Sequence, residues 1–420
     1  MKLLIITSEP LNPSDTLSST FELTQAGILA KSFDTSILSV TTDRSLAFLI
    51  KSFVKAILGR SNTKFTSIFR DFKAAVNYML FRTKRAKKHL IQGITVYEGN
   101  VYPSRSHTVF SQALNTWVKA GLNAYGAYYR ENGKPDLVHA HGRFLNAGAL
   151  ALIMHRKYSI PFVYTEHSTY FQRKLVPSES ISIIKDIIRH CAAYIAVSRS
   201  LLKHVEVAIG ININKALVLS NVLDPVFESP FCEPPPIDKR FIFTNVAAME
   251  HKKGIDILLK AFKRAFNGNE RYMLNLVGSG PLITEMRQLS RDLDLEDRVH
   301  FLGSLPKDKV LEILDNSHVF ALPSRVETFG VVVIESLARG RPVVATVCGG
   351  PENIVNERCG LLCEAGDVDA FASNMKKIAE NYASYNLAHI REVALHHYGT
   401  KAFEDRMQKL YNSILNDLHH

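Results

Sequence analysis

Cysteine is scarce. The five thiols, at 191, 232, 348, 359 and 363, are odd in number and scattered, and no C-x-x-C pair marks a metal or redox site. Such isolated thiols read as reduced cysteines of a cytosolic protein. Long apolar runs are missing too: none reaches the roughly 18 residues of a membrane-spanning helix. The opening MKLLIITSEP turns polar too soon for a secretory signal and reads as a first buried strand. There is no nucleic-acid-binding motif and no repeat of solenoid period. Acid is short in one place. Between Arg44 and His89, twelve Lys/Arg face a single carboxylate, Asp71, an excess equal to the whole net charge of +11.

What is present is ordinary in bulk, 46% apolar and 22% charged, with length for two or three domains. Apolar runs alternate with helix-length segments. KLLIITS, TSILSV, ITVYEG, DLVHAH, FVYTEH, YIAVS and ALVLSNV read as strands up to residue 222, with helices at 21–33, 110–131, 145–157, 180–192 and 199–208. Residues 223–240 break the rhythm with five prolines and read as a linker. The alternation restarts with RFIFTNVA, YMLNLVG, VHFLG and HVFALPS, with helices at 254–266, 281–292 and 307–314, and 399–417 is helical and amphipathic. Strands alternating with helices predict parallel, doubly wound sheets. The expected organisation is an N-terminal Rossmann-like domain (1–222), a linker (223–240), a C-terminal Rossmann-like domain (241–395) and a terminal segment (396–420). Ligands in such sheets bind beyond the carboxyl ends of the strands.

The chain is organised around 323–346, PSRVETFGVVVIESLARGRPVVAT. A short apolar strand ends at Ser324, a helix opens after Thr328-Phe329-Gly330 and stops at Gly340, a residue suited to a left-handed C-cap, and VVAT is the next strand. Glu327 lies in the loop and Glu335 in the helix. Eight residues are roughly 12 Å along a helix, too far for one bimetal site or a retaining hydrolase's carboxylate pair. The spacing suits an elongated ligand held at two places, with the backbone N–H groups near Gly330 and Val331 favouring a phosphate between them. The plainer alternative is a helix with a surface glutamate at each end.

Other polar groups collect at strand tips. In Asp136-Leu-Val-His139-Ala-His141-Gly142, alternate residues share a face, so both histidines point one way with Arg143 just beyond. Thr165-Glu166-His167-Ser168 ends the next strand likewise. Buried, satisfied histidines are one reading, and a metal held by His139, His141 and His167 is another. Gly278-Ser-Gly280-Pro281 closes a strand and opens a helix, but Ile283 stands where a dinucleotide fingerprint has its third glycine. Asp367 reads as an N-cap with Asp369 in the first turn.

The motif P-S-x-x-E-x-F-G-x-x-x-x-E followed by G-x-P-V-V-A resembles the signature of family 4 retaining glycosyltransferases, the group 1 transferases of GT-B fold. Val246 to Asp256 is similar to the family's V-G-R-L-x-x-x-K-G-x-D, with Lys253 on the phosphate-binding lysine and Ala248 in place of the arginine. The H-x-H strand, T-E-H-S, Ser198-Arg199, Asn221 (with Ser220 in place of a proline), V-G-x-G-P, Gly349-Gly350-Pro351-Glu352 and 360–367 also have counterparts. Ser18 and Ser19 stand where relatives usually carry a glycine pair. The resemblance implies two doubly wound domains facing across a cleft, with the terminal helix crossing back towards the first. It further implies sugar transfer with retention from a nucleoside-diphosphate sugar to a hydroxyl of a glycan or lipid-linked acceptor in polysaccharide biosynthesis, with no metal or other cofactor. Glu327, His141 and Lys253 would be the catalytic set. Glu335, Gly330, Val331, Phe329, Gly278, Gly280, Leu305 and Ser19 would bind donor, and His139, His167 and Arg143 would line the acceptor side. A GT-B phosphorylase, a nucleotide-sugar epimerase and an inactive nucleotide-sugar-binding scaffold are the alternatives. Ala248 and the lost glycine pair motivate the last.

The basic segment at about 44–90 is an expected helical insertion. Phe65, Ile68, Phe69, Phe72, Val76, Met79 and Leu80 keep helical spacing, and Phe48, Leu49, Phe53, Val54, Ile57 and Leu58 make a second apolar face. Apolar faces with basic flanks read as an interfacial element on an anionic membrane, placing the protein in the cytoplasm, peripheral on the inner face of the plasma membrane. Two helices packed on the first domain with a solvated basic edge are the alternative. Nucleic acid is not an expected partner.

Overall fold

The computed structural model describes residues 1–11, 20–42, 86–101, 110–238 and 240–419. The basic helices read at 48–58 and 65–80, and Ser18 and Ser19, lie outside these residues. Fourteen strands are described: β1 Lys2–Ile6, β2 Asp34–Thr42, β3 Lys87–Ile91, β4 Ile94–Val101, β5 Leu137–Gly142, β6 Phe162–Glu166, β7 Ala193–Ala196, β8 Ala216–Val218, β9 Phe241–Val246, β10 Tyr272–Val277, β11 Val299–Gly303, β12 Val319–Leu322, β13 Val343–Val347 and β14 Gly360–Glu364. The first eight form one sheet in the order β3-β4-β2-β1-β5-β6-β7-β8, and the last six another in the order β11-β10-β9-β12-β13-β14.

With β3 left aside, the first sheet runs third, second, first, fourth, fifth, sixth, seventh and the second runs third, second, first, fourth, fifth, sixth, the doubly wound Rossmann arrangement. Central strands are buried on both faces, which is why they read as unbroken apolar runs. All six residues of β5 and all four of β12 are buried. The antiparallel exception is β3, paired with β4 through Gln92 (φ 49°) and Gly93 (φ 81°). Two positive φ values in a two-residue turn match strand twist and make a tight hairpin. The end of the basic segment, expected as part of a helical insertion, is therefore a strand from Lys87 onward, and Lys88 pairs with Glu131 of the helix Phe110–Asn132.

Contacts divide the described residues into two compact units: Met1–Pro13, Gln25–Glu166 and Ser178–Tyr194 in one, and Ser14–Thr24, His167–Pro177 and Ile195–His420 in the other. The second unit's core gathers Phe241, Phe243, Phe262, Phe266 and Leu274 around its sheet, with Phe266 stacked on Tyr272 at 3.8 Å. Its proline-rich segment is not loose. Phe227 is fully buried, and carbonyls along Phe227–Cys232 accept hydrogen bonds from Arg339, Arg341 and Arg391. Arg339 and Arg341 are themselves buried, and share the carboxylate of Asp315. Glu228 takes the backbone N–H and hydroxyl of Thr400 and so caps the last helix, Thr400–His419.

Candidate functional site

The second sheet reverses direction between β9 and β12, and the crevice at such a switch point holds the polar groups of two loops. The loop after β9 carries Lys253, and the loop after β12 carries Ser324, Arg325 and Glu327. Arg325 N donates to Lys252 O (2.7 Å), drawing the loops together. Close approach requires Gly254, at φ 67°, because a Cβ there would lie 2.1 Å from Pro323 O. Lys253 Nζ then reaches Glu327 Oε1 at 2.6 Å, and Ser324 Oγ donates to the same oxygen at 2.9 Å. Only 10% of the Glu327 side chain and 19% of Lys253 is exposed, so little water screens the pair. Among the described residues Glu327 Oε2 has no hydrogen bond, which leaves an acceptor for a ligand hydroxyl.

Around this pair the other charges are already committed. Arg325 grips Asp256 through two bonds of 2.8 Å; burial is the largest single effect on the Asp256 carboxyl and would raise it, but the hydrogen bonds and charge of Arg325, together with Lys260, outweigh it and hold the group below the usual range. Lys252 pairs with Glu250 at 3.0 Å. Both basic residues are thus engaged in ion pairs, as Lys253 is with Glu327, and Ala248 leaves its position without a charge. Gln172 donates from Nε2 to Glu327 O (2.8 Å), fixing the backbone beneath the carboxylate. A Cβ on Gly349, at φ 119°, would fall 2.5 Å from Glu327 O as well as onto that amide, so glycine is required there. Glu352 holds the Gly349 N–H (2.9 Å), and Ser198 Oγ donates to Gly349 O (3.0 Å).

The helix Val331–Ala338 begins at Gly330, φ 96°, directly after Phe329. Its first turn and Glu335 line a cavity of about 140 Å³ with Leu305, Lys307, Asp224, Val246 and Phe227. Glu335 is 8% exposed. Burial lifts its carboxyl to about 7, Lys307 opposing the rise and Asp224 adding to it. Lys307 is paired with Asp224, which also accepts from Thr24 Oγ1 (3.1 Å). Gly278 and Gly280 close the turn above, pressed on the backbone of Ala247 and Met249. Glu327, Lys253, Glu335, Gly330, Val331, Phe329, Leu305, Gly278 and Gly280 thus all lie in this unit, Val331 and Glu335 in the helix and the others in the segments that follow its strands.

In the first unit, β5 carries His139 and His141 to its carboxyl end, ring centroids 4.2 Å apart. His139 Nε2 meets Thr165 Oγ1 of β6 at 2.7 Å. Burial pushes the His141 imidazole down to about 3, so it is neutral at physiological pH. Arg143 pairs with Glu9 (2.5 Å), and Ser8 Oγ donates to His141 O (2.6 Å). Phe144 follows at φ 104°, a strained value for a bulky residue and of the kind that gathers at functional loops. His167 belongs to the second unit, its ring 4.6 Å from that of Phe21. Among the described residues no group of three or more His, Cys, Asp or Glu is placed to hold a metal.

Sequence reading missed Gln172, the Lys307–Asp224 pair and the commitment of Arg325 to Asp256. Each joins residues 69 to 155 positions apart, a separation at which no local pattern signals contact.

Comparison with known proteins bears on the whole arrangement. The family profile described as Glycosyl transferases group 1 matches residues 231–392, and that of Glycosyltransferase Family 4 matches residues 68–227. The phosphatidylinositol N-acetylglucosaminyltransferase gpi3 subunit of Schizosaccharomyces pombe is 22% identical over 340 residues, 80% of this chain and 73% of its own length. Sucrose-phosphate synthase from Thermosynechococcus elongatus has a TM-score of 0.72 at 18% identity, covering 99% of this chain and all of its own. Anabaena Alr3699/HepE in complex with UDP has a TM-score of 0.69 at 17% identity, over 98% and 100% of the two chains.

Proposed function

Because the chain belongs to the family 4 glycosyltransferases of group 1, we propose that it transfers a hexosyl group, with retention, from a nucleoside-diphosphate sugar to a hydroxyl of a glycan or lipid-linked acceptor, without a metal. The observation that carries this reading is the Lys253–Glu327–Ser324 constellation, set beside the first turn of the helix Val331–Ala338. In this reading the diphosphate lies between Lys253 and the helix start, where the backbone N–H groups and the ammonium stabilise charge as it develops on the leaving group. Glu327 accepts from sugar hydroxyls through Oε2. Glu335 accepts from the ribose inside its apolar cavity, with Phe329, Leu305, Gly278 and Gly280 shaping the donor pocket.

Retention then proceeds on one face of the sugar. The bond from the anomeric carbon to the diphosphate oxygen breaks, and the bond to the acceptor oxygen forms on the side it leaves. The acceptor proton passes to the departing phosphate oxygen, so no protein base is required. In this reading His141, held neutral, belongs to the catalytic set, and His139, His167 and Arg143 serve the acceptor side. UDP in the Anabaena relative and the N-acetylglucosaminyl group in the name of the fission-yeast relative make UDP-N-acetylglucosamine the first donor to try. We also place the enzyme in the cytoplasm against an anionic membrane, a reading supported by the basic segment at 44–90.

The test is a donor screen that reads released nucleoside diphosphate, run with the wild type and Glu327→Ala. The variant is expected to lose about 100-fold or more in transfer, in line with the loss of a preorganised contact at the reacting group, while still folding, with a lowered melting temperature because Lys253 loses its partner. Unchanged turnover in the variant, or activity abolished by chelator and restored by manganese, would overturn the reading.

A further inference from the structure

Behind the site, on the far side of its own helix, lies a larger cavity of about 390 Å³. Its floor is apolar, built from Leu337, Ile354, Ile390, Ala394 and the ring of Tyr398, with Val393 at the lip. Its polar lining is Asn353, Asn356, Arg358, His389 and His397, with no carboxylate among the lining residues. His389 is turned partly to Glu392, its Nδ1 3.5 Å from that carboxylate. The Arg358 guanidinium, in contrast, makes no ion pair among the described residues. A volume in the range of ligand pockets, an apolar floor and a few convergent polar groups are the features of a small-molecule site.

We propose that this cavity is a second ligand site, for a small molecule with an apolar chain or ring and a single phosphate or carboxylate end. The apolar body lies on Leu337, Ile390 and Tyr398, and the anionic end meets Arg358 with His397 beside it. The fit is one of charge as well as shape, since the cavity lining offers cationic or neutral donors and no acid to repel the anion.

The position of the cavity gives it a consequence. Leu337 lines it from the helix whose Val331, Val332 and Glu335 line the donor-side cavity. Tyr398 lines it and meets Phe329 edge-on, ring centroids 6.0 Å apart. Asn353 and Ile354 line it next to Glu352, which holds the Gly349 N–H. The helix therefore shows one side to each cavity, while Tyr398 and the Asn353–Ile354 segment touch the loops that precede and follow it, and a packed interior transmits displacement rather than absorbing it. A ligand behind the helix changes donor affinity through them; this coupling rests on the donor reading above, whereas the site itself does not.

The experiment is calorimetric titration of the full chain with decyl phosphate and decanoate below their micellar concentrations, beside decanol and inorganic phosphate. One decyl phosphate or decanoate per chain is expected, with decanol weaker by about tenfold, the worth of a charge-assisted bond, and inorganic phosphate silent. Arg358→Ala should weaken both anions by about tenfold and leave decanol unchanged. Val393→Trp, at a position 39% exposed, fills the mouth and should abolish binding while the protein melts normally. Binding untouched by both variants, several molecules per chain, or equal loss of decanol and decyl phosphate in Arg358→Ala would overturn the proposal. UDP titrated with and without decyl phosphate reads the coupling separately. If UDP fails to bind the wild type, the donor reading falls while the one-to-one binding of decyl phosphate still decides the second site.

Discussion

Replacing Glu335 by glutamine isolates the electrostatic cost of placing a carboxylate inside an apolar cavity. Burial raises the group from its ordinary 4.5 to about 7, the Lys307 charge holding it down and Asp224 pushing it further up. Ionising Glu335 in place is then harder than in the unfolded chain by about 3 kcal/mol, at 1.36 kcal/mol for each tenfold change in acidity. The sign follows from proton counting. Below pH 4.5 the group is protonated in both states and adds no pH dependence. Between 4.5 and about 7 the folded protein keeps a proton that the unfolded chain has lost, so stability falls as pH rises, and above 7 the full cost is present. Glutamine has nearly the same shape and no proton to lose. Glu335→Gln should therefore melt with the wild type at pH 4.5 and about 6–12 °C higher than the wild type at pH 8.5, given roughly 2–4 °C for each kcal/mol in a unit of this size. Scanning calorimetry across pH 4.5–8.5 measures this directly. A constant offset at all pH values, or a variant less stable at pH 8.5, would refute the argument that burial governs Glu335.

Three other outcomes follow from the same geometry. Gln172→Ala frees the backbone under Glu327 and should lower kcat about tenfold with donor KM changed less than threefold and the melting temperature held, as expected for a lost orienting hydrogen bond; steady-state kinetics with a fluorescence melt decide it. Asp315→Ala strands the buried guanidiniums of Arg339 and Arg341 and should destabilise the second unit by about 3–5 kcal/mol, seen as an early calorimetric transition, with a wild-type melt refuting the role. Full-length protein should float with liposomes containing anionic lipid and release as salt is raised, whereas no flotation at any salt would assign residues 44–90 to an ordinary solvated face.

How much of this could be read from the chain depends on whether the governing physics is local. Strands such as VFAL and LVHAHG were visible because burial on both faces demands unbroken apolar runs, and the helices between them lie within a few residues of their expected bounds. The cap at Asp367 was legible for the same reason, since it needs a carboxylate three residues before Ala370 N, which it accepts at 2.9 Å. Lys87–Ile91 was not. K-K-H-L-I reads as the end of a basic helix until the Gln92-Gly93 turn folds it onto β4. Five prolines announced a linker at 223–240, yet its carbonyls are held by Arg339, Arg341 and Arg391, charged residues that sequence alone assigns to the surface.

The Lys253–Glu327 pair shows the same division more sharply. E-x-F-G and K-G-x-D could each be recognised as a short pattern, but nothing within either states that the two side chains meet. They meet because β9 and β12 are neighbours whose chains depart in opposite directions, so the loops that follow them open a crevice and face each other across it. Lys253 and Glu327 then satisfy each other at 2.6 Å, which removes the penalty that either charge would suffer alone in so enclosed a place. An anion that enters this crevice does not need to break the pair. The ammonium has three protons and gives one to Glu327, leaving donors for a phosphate, while Oε2 of Glu327 remains open to a hydroxyl. On the proposed reading, a ligand carrying phosphate and hydroxyls on adjacent groups would use both halves at once, whereas inorganic phosphate or a neutral sugar would use only one, so a sugar phosphate should bind more tightly than either of its parts.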